Sequence, residues 1–197
     1  MRTVCTAVCL ALCSTGAFAA EYGIGVSARS DDATIYLPID INETYRIEPS
    51  VRYASSELSQ TFDLTDDLRE QDSDTLEVGI GVFRLAKLAE SARIYFGVRA
   101  AYLDVESTLV DTTTIFPGLD VTIRSETSQD GYRIGPAIGF EYLFGKHFSV
   151  GGEASYTFVD LDGESTATTS SGTRPSRTDF EQKGSSTSTR LIVRYRF

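Results

Sequence analysis

Hydrophobic and polar side chains alternate along much of this chain, and the alternation is clearest at its C-terminal end. Leu191, Val193, Tyr195 and Phe197 occupy one set of positions, while Ile192 and three arginines occupy the other. Successive side chains of a β-strand point to opposite faces of its sheet. The last ten residues therefore predict a strand with one apolar, aromatic face and one cationic face.

The same period of two marks seven earlier segments, so the sequence predicts eight strands in total. The longest runs from Tyr132 to Phe144, with Arg133 and Glu141 among the residues of its second face. The other six segments cover residues 22–29, 35–39, 45–53, 76–82, 93–102 and 148–158.

The connections between these segments differ in length in a regular way. Those after the second, fourth and sixth strands are short, at residues 40–44, 88–91 and 145–146. Those after the third, fifth and seventh are long and polar, at residues 56–73, 106–124 and 163–186. An even strand number with short turns at one end and long loops at the other is typical of transmembrane β-barrels. The predicted fold is all-β, an eight-stranded antiparallel up-and-down transmembrane β-barrel.

Some features of the pattern fit this prediction less well. Pro38, Pro49 and Pro136 fall on predicted strands, although proline has no N–H for the ladder of hydrogen bonds, so we expect them to mark bulges or strand ends. The first hairpin is short. Trp is absent, so Tyr and Phe alone would form the aromatic girdles at the two membrane interfaces. The candidates are Tyr22, Tyr45, Phe144, Phe148 and Phe197 at one rim, and Tyr53, Tyr102, Tyr132 and Phe158 at the other.

The first nineteen residues have the pattern of a cleaved secretory signal peptide. Arg2 precedes a short apolar run from Val4 to Leu12, and Ala17-Phe18-Ala19 matches an A-x-A cleavage site. We expect a signal peptide over residues 1–19 and one barrel domain over residues 20–197. All three cysteines lie in the signal peptide, so no disulfide is predicted in the mature chain.

A final strand that ends in Phe, with apolar or aromatic residues at alternate positions before it, resembles the C-terminal signature of bacterial outer-membrane β-barrels. The whole mature chain resembles the small members of that group, the OmpA transmembrane domain and OmpX. The resemblance implies an outer-membrane location and contact with lipid and lipopolysaccharide. It also implies that the barrel-assembly machinery reads Tyr195 and Phe197 as an assembly signal.

The charges divide between the exterior and the predicted lumen. The chain has 28 acidic and 18 basic residues and a formal net charge of −10, which argues against a nucleic-acid partner because phosphates need a basic face. Buried charges must be paired or hydrated, and the interior of an eight-stranded barrel is just wide enough for side chains to fill it. We therefore expect an Arg–Glu network that plugs the lumen. Its members are Arg29, Arg46, Glu48, Arg52, Glu77, Arg93, Arg99, Arg133, Glu141, Glu153, Arg190, Arg194 and Arg196.

Candidate catalytic residues are few. His147, Ser149 and Glu153 have the residue types of a base, a nucleophile and an orienting carboxylate, and the H-x-S spacing resembles that of lipid A deacylases. The predicted topology places His147 beside a short periplasmic turn, pointing inward, and those enzymes work near the outer leaflet. A histidine at a membrane interface is therefore the favoured interpretation. No catalytic residue, cofactor or metal site is predicted, although the acidic loop at 56–73 has the residue types that bind hard cations.

The sequence thus favours a non-enzymatic outer-membrane protein with a structural or surface-interaction role. The long loops, including the one with Arg174 and Arg177, are the expected interaction surface for a possible extracellular partner. A narrow porin-like channel for ions or small solutes is the alternative. A lipid A-modifying enzyme is a third possibility, and it requires His147 and Ser149.

Overall fold

The computed structural model describes residues 20–29, 32–62, 67–116, 119–172 and 174–197. The predicted signal peptide lies outside these ranges. Among the described residues, no α-helix is long and apolar enough to cross a lipid bilayer. The strands are β1 Ala20–Arg29, β2 Asp32–Tyr36, β3 Ile39–Ile41, β4 Tyr45–Phe62, β5 Asp67–Ala89, β6 Ala92–Phe116, β7 Leu119–Phe144, β8 Phe148–Thr169 and β9 Ser176–Arg196.

The strands form one antiparallel sheet that closes on itself. Neighbours in sequence pair from β4 to β9, and β1 pairs with β9 from Gly23↔Arg196 to Ala28↔Leu191. Strands β2 and β3 follow one another along the same path, and each pairs with β1 on one side and β4 on the other. Together they occupy one place in the ring. The structure therefore confirms the predicted eight-stranded barrel, with its second strand interrupted.

The interruption lies at Leu37 and Pro38. Proline has no backbone N–H to give to a ladder, and hydrogen bonds around it hold the wall together. The Gly23 N–H donates to the Pro38 carbonyl at 3.0 Å, and the Leu37 N–H donates to the Pro49 carbonyl at 2.9 Å. The expectation that prolines mark bulges or strand ends is correct for Pro38. It is wrong for Pro49 and Pro136, which lie inside continuous strands without a change of register. Pro136 does interrupt one ladder, because the pairing of β7 with β8 stops at Ile134 and resumes at Ala137.

An apolar belt covers the outside of the barrel. Its side chains alternate with inward-facing ones, and exposed examples include Val51, Val78, Val98, Ile134 and Leu191. On β4 the belt runs from Tyr45 to Tyr53 and on β6 from Ile94 to Tyr102. That length matches the roughly 9–11 residues a tilted strand needs to cross the bilayer. The Tyr and Phe residues predicted for the girdles are all exposed on this surface, namely Tyr22, Tyr45, Tyr53, Tyr102, Tyr132, Phe144, Phe148, Phe158 and Phe197.

The predicted long loops are mostly strands. Residues 56–62 and 67–73 pair with each other in β4 and β5, and most of 106–124 pairs in β6 and β7. Much of the third loop also pairs, since Ala167 lies opposite Ser176 in β8 and β9. Beyond the membrane both faces of a sheet meet water, so the hydrophobic alternation that marks a membrane strand is lost while the pairing continues. The sequence prediction of loops there was wrong for this reason.

The extended strands form an open sheet above one side of the ring. The hairpin of β1 and β2 is short, and its described pairings end at Ala28↔Leu191 and Ala33↔Tyr53. Above these levels, β4 and β9 have neighbours on one side only among the described residues. The barrel wall thus has a notch over the β1–β2 hairpin, flanked by two open strand edges.

Candidate functional site

The lumen is filled by charged side chains from almost every strand. Arg46, Glu48, Glu141 and Arg194 are at most 1 % exposed. The other predicted members also point inward and are buried or largely buried: Arg52, Glu77, Arg93, Arg99, Arg133, Glu153, Arg190 and Arg196. The side chain of Arg29 lies outside the described part of the chain.

Glycines make room for aromatic rings between these charges. A Cβ on Gly139 would lie 2.3 Å from the Tyr95 ring, and one on Gly81 would lie 2.4 Å from the Phe83 ring. Phe83 and Tyr95 contact each other edge to face, with ring centroids 5.3 Å apart, and both are buried. Two inward glycines, Gly81 on β5 and Gly139 on β7, therefore allow two large rings to fill the centre of the barrel.

The end of the lumen beside the short turns is the periplasmic end in transmembrane barrels of this kind. It contains a cluster centred on Asp40 and Glu141. Arg46 donates to both Asp40 oxygens at 2.6 and 2.9 Å, and to Glu141 at 3.2 Å. Arg93 contacts Glu141 at 2.8 Å and Asp40 at 3.1 Å. Arg196 donates to Glu141 at 2.7 Å. Three arginines from three different strands therefore share two carboxylates.

Glu48 and Glu153 connect opposite walls in the middle of the lumen. Arg99 on β6 donates to Glu48 on β4 at 2.5 Å and to Glu153 on β8 at 2.7 Å. Arg194 on β9 donates to Glu48 at 2.9 Å. A guanidinium group presents five donors in a rigid fork and can hold two carboxylates at once. The middle of the lumen is thus crossed by charge-assisted hydrogen bonds.

The extracellular end of the network, on the side of the long strands, contains more arginines than carboxylates. Glu77 accepts from Arg133 and lies 3.1 Å from Arg52. Arg190 donates to Glu153 and, at 2.5 Å, to the Tyr36 hydroxyl. Arg52, Glu77, Arg133 and Arg190 line a cavity at the extracellular end of the lumen.

Aromatic faces support several of the guanidinium groups. The Arg99 guanidinium carbon lies 4.7 Å from the Phe83 ring centroid and 5.0 Å from that of Tyr36. Arg194 lies 5.2 Å from the Tyr95 ring. Such cation–π contacts are strongest where water is excluded. The rings therefore fix the arginines in place as well as filling space.

Sequence reasoning missed two members of this network, Asp40 and Tyr36. Both are buried and both bind arginine. Tyr36 alternates with Ile35 and Leu37 in the sequence, so the period of two already assigned it to the inner face. Asp40 was placed in the predicted turn 40–44, and that assignment was wrong, because β3 continues to Ile41. Their role as partners of arginine depends on which arginines lie opposite them in the lumen, and only the closed ring shows this.

The two residues suggested as a catalytic pair have different surroundings. Ser149 is buried in the lumen and donates to Glu141 at 2.5 Å. His147 is exposed in the turn between β7 and β8, its ring stacks on that of Tyr195, and its Nδ1 lies 3.0 Å from the Arg196 carbonyl oxygen. The predicted position at a turn is confirmed, but the predicted inward direction was wrong.

The C-terminal residue lies at the periplasmic rim. The Phe197 N–H donates to the Tyr22 carbonyl at 2.9 Å, and its ring, 77 % exposed, packs edge to face on Tyr195. Both rings are on the lipid-facing surface of β9. Their role as an assembly signal stays a prediction.

A second charged surface lies on the outward face of the extracellular sheet. A groove of about 480 Å³ crosses β5 to β8, and five carboxylates are among its described lining residues: Asp72, Asp74, Glu106, Glu126 and Glu164. Glu126 also contacts Arg124 at 2.8 Å, and Glu164 contacts Arg177 at 2.5 Å. Because Glu126 and Glu164 are paired with arginines, the other three carboxylates, Asp72, Asp74 and Glu106, give this face its acidic character.

Ion pairs also occur on β9 in this sheet. Lys183 donates to Glu181 and lies 3.6 Å from Asp160. The hydrogen bond to Glu181 and the charge of Asp160 raise the pKa of the Lys183 ammonium group. Lys183 therefore remains charged over the physiological pH range.

No protein-family model and no curated protein matches this sequence. Solved structures do. A major outer membrane protein from Thermus thermophilus superposes with a TM-score of 0.65 at 14 % identity, covering 91 % of this chain and 100 % of that one. Acinetobacter baumannii CarO matches with a TM-score of 0.39 at 12 % identity, covering 90 % and 96 % of the two chains. Yersinia pestis Ail, the attachment invasion locus protein, matches with a TM-score of 0.41 at 12 % identity, covering 90 % and 95 %.

The Thermus match confirms the outer-membrane β-barrel fold over nearly the whole described chain. The same fold and the exposed apolar belt agree with the outer-membrane location expected from the sequence. A lipid and lipopolysaccharide environment follows from that location.

Proposed function

We propose that this chain is a non-enzymatic outer-membrane barrel whose lumen is closed and whose extracellular sheet is a surface for interaction. The observation that carries the proposal is the network between opposite walls, from Arg46 to Glu141 and from Arg194 to Glu48. Its central side chains are essentially inaccessible to solvent. A barrel of eight strands has little interior left once such side chains fill it.

Closure of the lumen predicts that the folded protein does not conduct ions. Residues 20–197, refolded into a planar bilayer, should give no reproducible single-channel steps. Heat-modifiable migration on a gel first establishes that the barrel has formed. Stable steps from folded protein would instead favour the porin-like channel. In that case Arg133→Gln in the lumen should change ion selectivity, and Arg124→Gln on the outer face should not.

The non-enzymatic character is supported by the separation of His147 and Ser149. The Ser149 hydroxyl is bonded to Glu141 inside the lumen, and the His147 ring stacks on the lipid-facing Tyr195. A serine nucleophile needs a base within hydrogen-bond reach. A lipid A-modifying activity that is lost in Ser149→Ala would contradict the proposal.

The extracellular sheet is the second part of the proposed function. Paired strands hold its outward face rigid above the membrane, and its groove is acidic. Complementary charge speeds association and selects partners. We infer that the partner of this face is a protein with a basic surface.

Neutralising the groove should weaken binding to a cationic probe. We expect the triple variant Asp72→Asn, Asp74→Asn, Glu106→Gln, in lipid nanodiscs, to bind immobilised oligolysine at least several-fold more weakly than the unmodified barrel does. The matched control replaces Glu21, Glu43 and Glu90 by their amides, which removes the same charge from exposed positions at the periplasmic end, away from the groove. Equal losses in the two variants would mean that only net charge matters, and would contradict a specific surface.

A further inference from the structure

The charges inside the barrel do not balance. The described lumen side chains include eight arginines and five carboxylates, an excess of three positive charges. The arginines are Arg46, Arg52, Arg93, Arg99, Arg133, Arg190, Arg194 and Arg196, and the carboxylates are Asp40, Glu48, Glu77, Glu141 and Glu153. Uncompensated charge in a largely dehydrated interior is costly. A bound anion would reduce this cost.

The excess is concentrated at the extracellular end. Every arginine of the network touches a buried carboxylate, and those of the periplasmic cluster, Arg46, Arg93 and Arg196, share Asp40 and Glu141. The excess around the extracellular cavity is larger, because four arginines and a single carboxylate, Glu77, are among its lining residues. The arginines are Arg52, Arg99, Arg133 and Arg190. Two of these arginines share Glu77, and the other two are bonded to Glu153.

The rest of the cavity wall is also suited to an oxyanion. Seven serine and threonine residues line it, and six of them have inward positions on their strands, from Ser27 and Thr34 on the first hairpin to Ser188 on β9. Its volume is about 40 Å³, and one water-sized group needs roughly 10–15 Å³. About three oxygen atoms can therefore be held at once among guanidinium and hydroxyl donors.

One buried donor at this site has no hydrogen-bond partner among the described residues. Arg99 is 9 % exposed, and its Nη1 is buried without an acceptor, whereas its Nε and Nη2 are bonded to carboxylates. Arg99 lines the cavity. Buried nitrogens of Arg46 and Arg194 also lack a hydrogen-bond partner among the described residues, but Arg99 lines a cavity in which an acceptor can bind.

The cavity can be reached from outside. The Arg133 side chain is 26 % exposed, which shows that solvent enters. The cavity also includes Ser27 and Thr34 of the β1–β2 hairpin, over which the barrel wall has its notch. A ligand can therefore arrive from the external medium or from the side, at the level of the outer-leaflet head groups.

We propose that this arginine-lined cavity on the extracellular side of the network is a binding site for a phosphoryl oxyanion. The ligand is a tetrahedral phosphate group, because its oxygens accept the paired donors of guanidinium forks and the hydroxyl donors of the wall. Its source is either free phosphate or the phosphorylated head group of an outer-leaflet lipid. This site goes beyond the proposed interaction surface, and it remains compatible with a closed lumen below it.

Isothermal titration calorimetry with inorganic phosphate tests the site in the refolded barrel at constant ionic strength. We expect saturable binding of about one phosphate per barrel. Arg133→Gln and Arg52→Gln should each weaken binding roughly tenfold or more, since each removes a charge-assisted hydrogen bond. Arg124→Gln, on the outward face, should leave the affinity unchanged. The absence of saturable binding to the folded unmodified protein would overturn the proposal, as would equal affinity in all four proteins.

A second arm identifies the source of the phosphate. The same titration is repeated in bilayers of phosphatidylcholine with and without lipid A. If lipid A abolishes phosphate binding, its head group occupies the cavity through the notch. If binding is unchanged, the ligand is free phosphate. Arg133 and Arg52 both contact Glu77, so replacing either of them removes a partner of a buried carboxylate. Each glutamine variant is therefore first tested for folding, and one folded variant is enough for the comparison.

Discussion

Replacing Glu48 by glutamine is expected to lower the free energy of unfolding by about 3–5 kcal/mol. Glu48 is fully buried and accepts hydrogen bonds from Arg99 and Arg194, at 2.5 and 2.9 Å. Glutamine has the same shape but no charge, so two guanidinium groups would lose their shared counterion. Removing one partner from a buried ion pair is far more destabilising than losing an exposed pair.

Urea unfolding in lipid vesicles, followed by gel migration, measures this effect. Glu57→Gln is the matched control, because Glu57 lies on the same strand but is exposed above the membrane. A surface change of this kind should alter stability by no more than about 0.5 kcal/mol. Similar, small losses in both variants would show that the lumen is hydrated enough to solvate the freed arginines, and would argue against a rigid plug.

The second large effect is expected on the lipid side. Val98→Arg should destabilise the barrel by about 2–4 kcal/mol, the cost of a cationic side chain near the bilayer midplane. Val98 is exposed on the apolar belt of β6, midway between Ile94 and Tyr102. The same assay of unfolding in vesicles measures the change.

Glu106→Arg serves as the control for this prediction. Glu106 has the same outward orientation on the same strand but lies beyond the belt, where the sheet meets water. Its replacement should change stability little. If both substitutions cost the same, membrane depth would not be the cause, and the apolar belt of β6 would not end at Tyr102.

Much of the fold was predictable because the signal is local. A period of two assigns every residue of a membrane strand to lipid or lumen, and lipid enforces the distinction. Val98, Ile134 and Leu191 were thus placed outside, and Arg99 and Glu141 inside, without knowledge of their partners. The prediction failed above the membrane, where Asp72 or Thr108 has water on both sides of the sheet and no apolar face marks the strand.

The partners within the lumen were not predictable in the same way. Glu48 and Arg194 are 146 residues apart in the sequence, and they meet only because β1 pairs with β9 and sets the stagger of the ring. Asp40 fell in a predicted turn, and its contacts with Arg46 and Arg93 depend on that stagger. The direction of the His147 side chain was not predictable either, because a turn residue does not follow the alternation that fixes the direction of side chains in a strand.

The sequence by itself thus determined the strand number, the two faces of each membrane strand and most of the charges that enter the lumen, with Asp40 as the exception. These follow from alternation over a few neighbouring residues and from the requirement that lipid contact only apolar side chains. The tertiary structure alone decided which carboxylate binds which arginine, where the proline interrupts the wall and how far the strands rise beyond the membrane. It also gathered four arginines and one carboxylate around a single cavity, because closing a sheet into a ring brings together side chains from strands that are distant in the sequence.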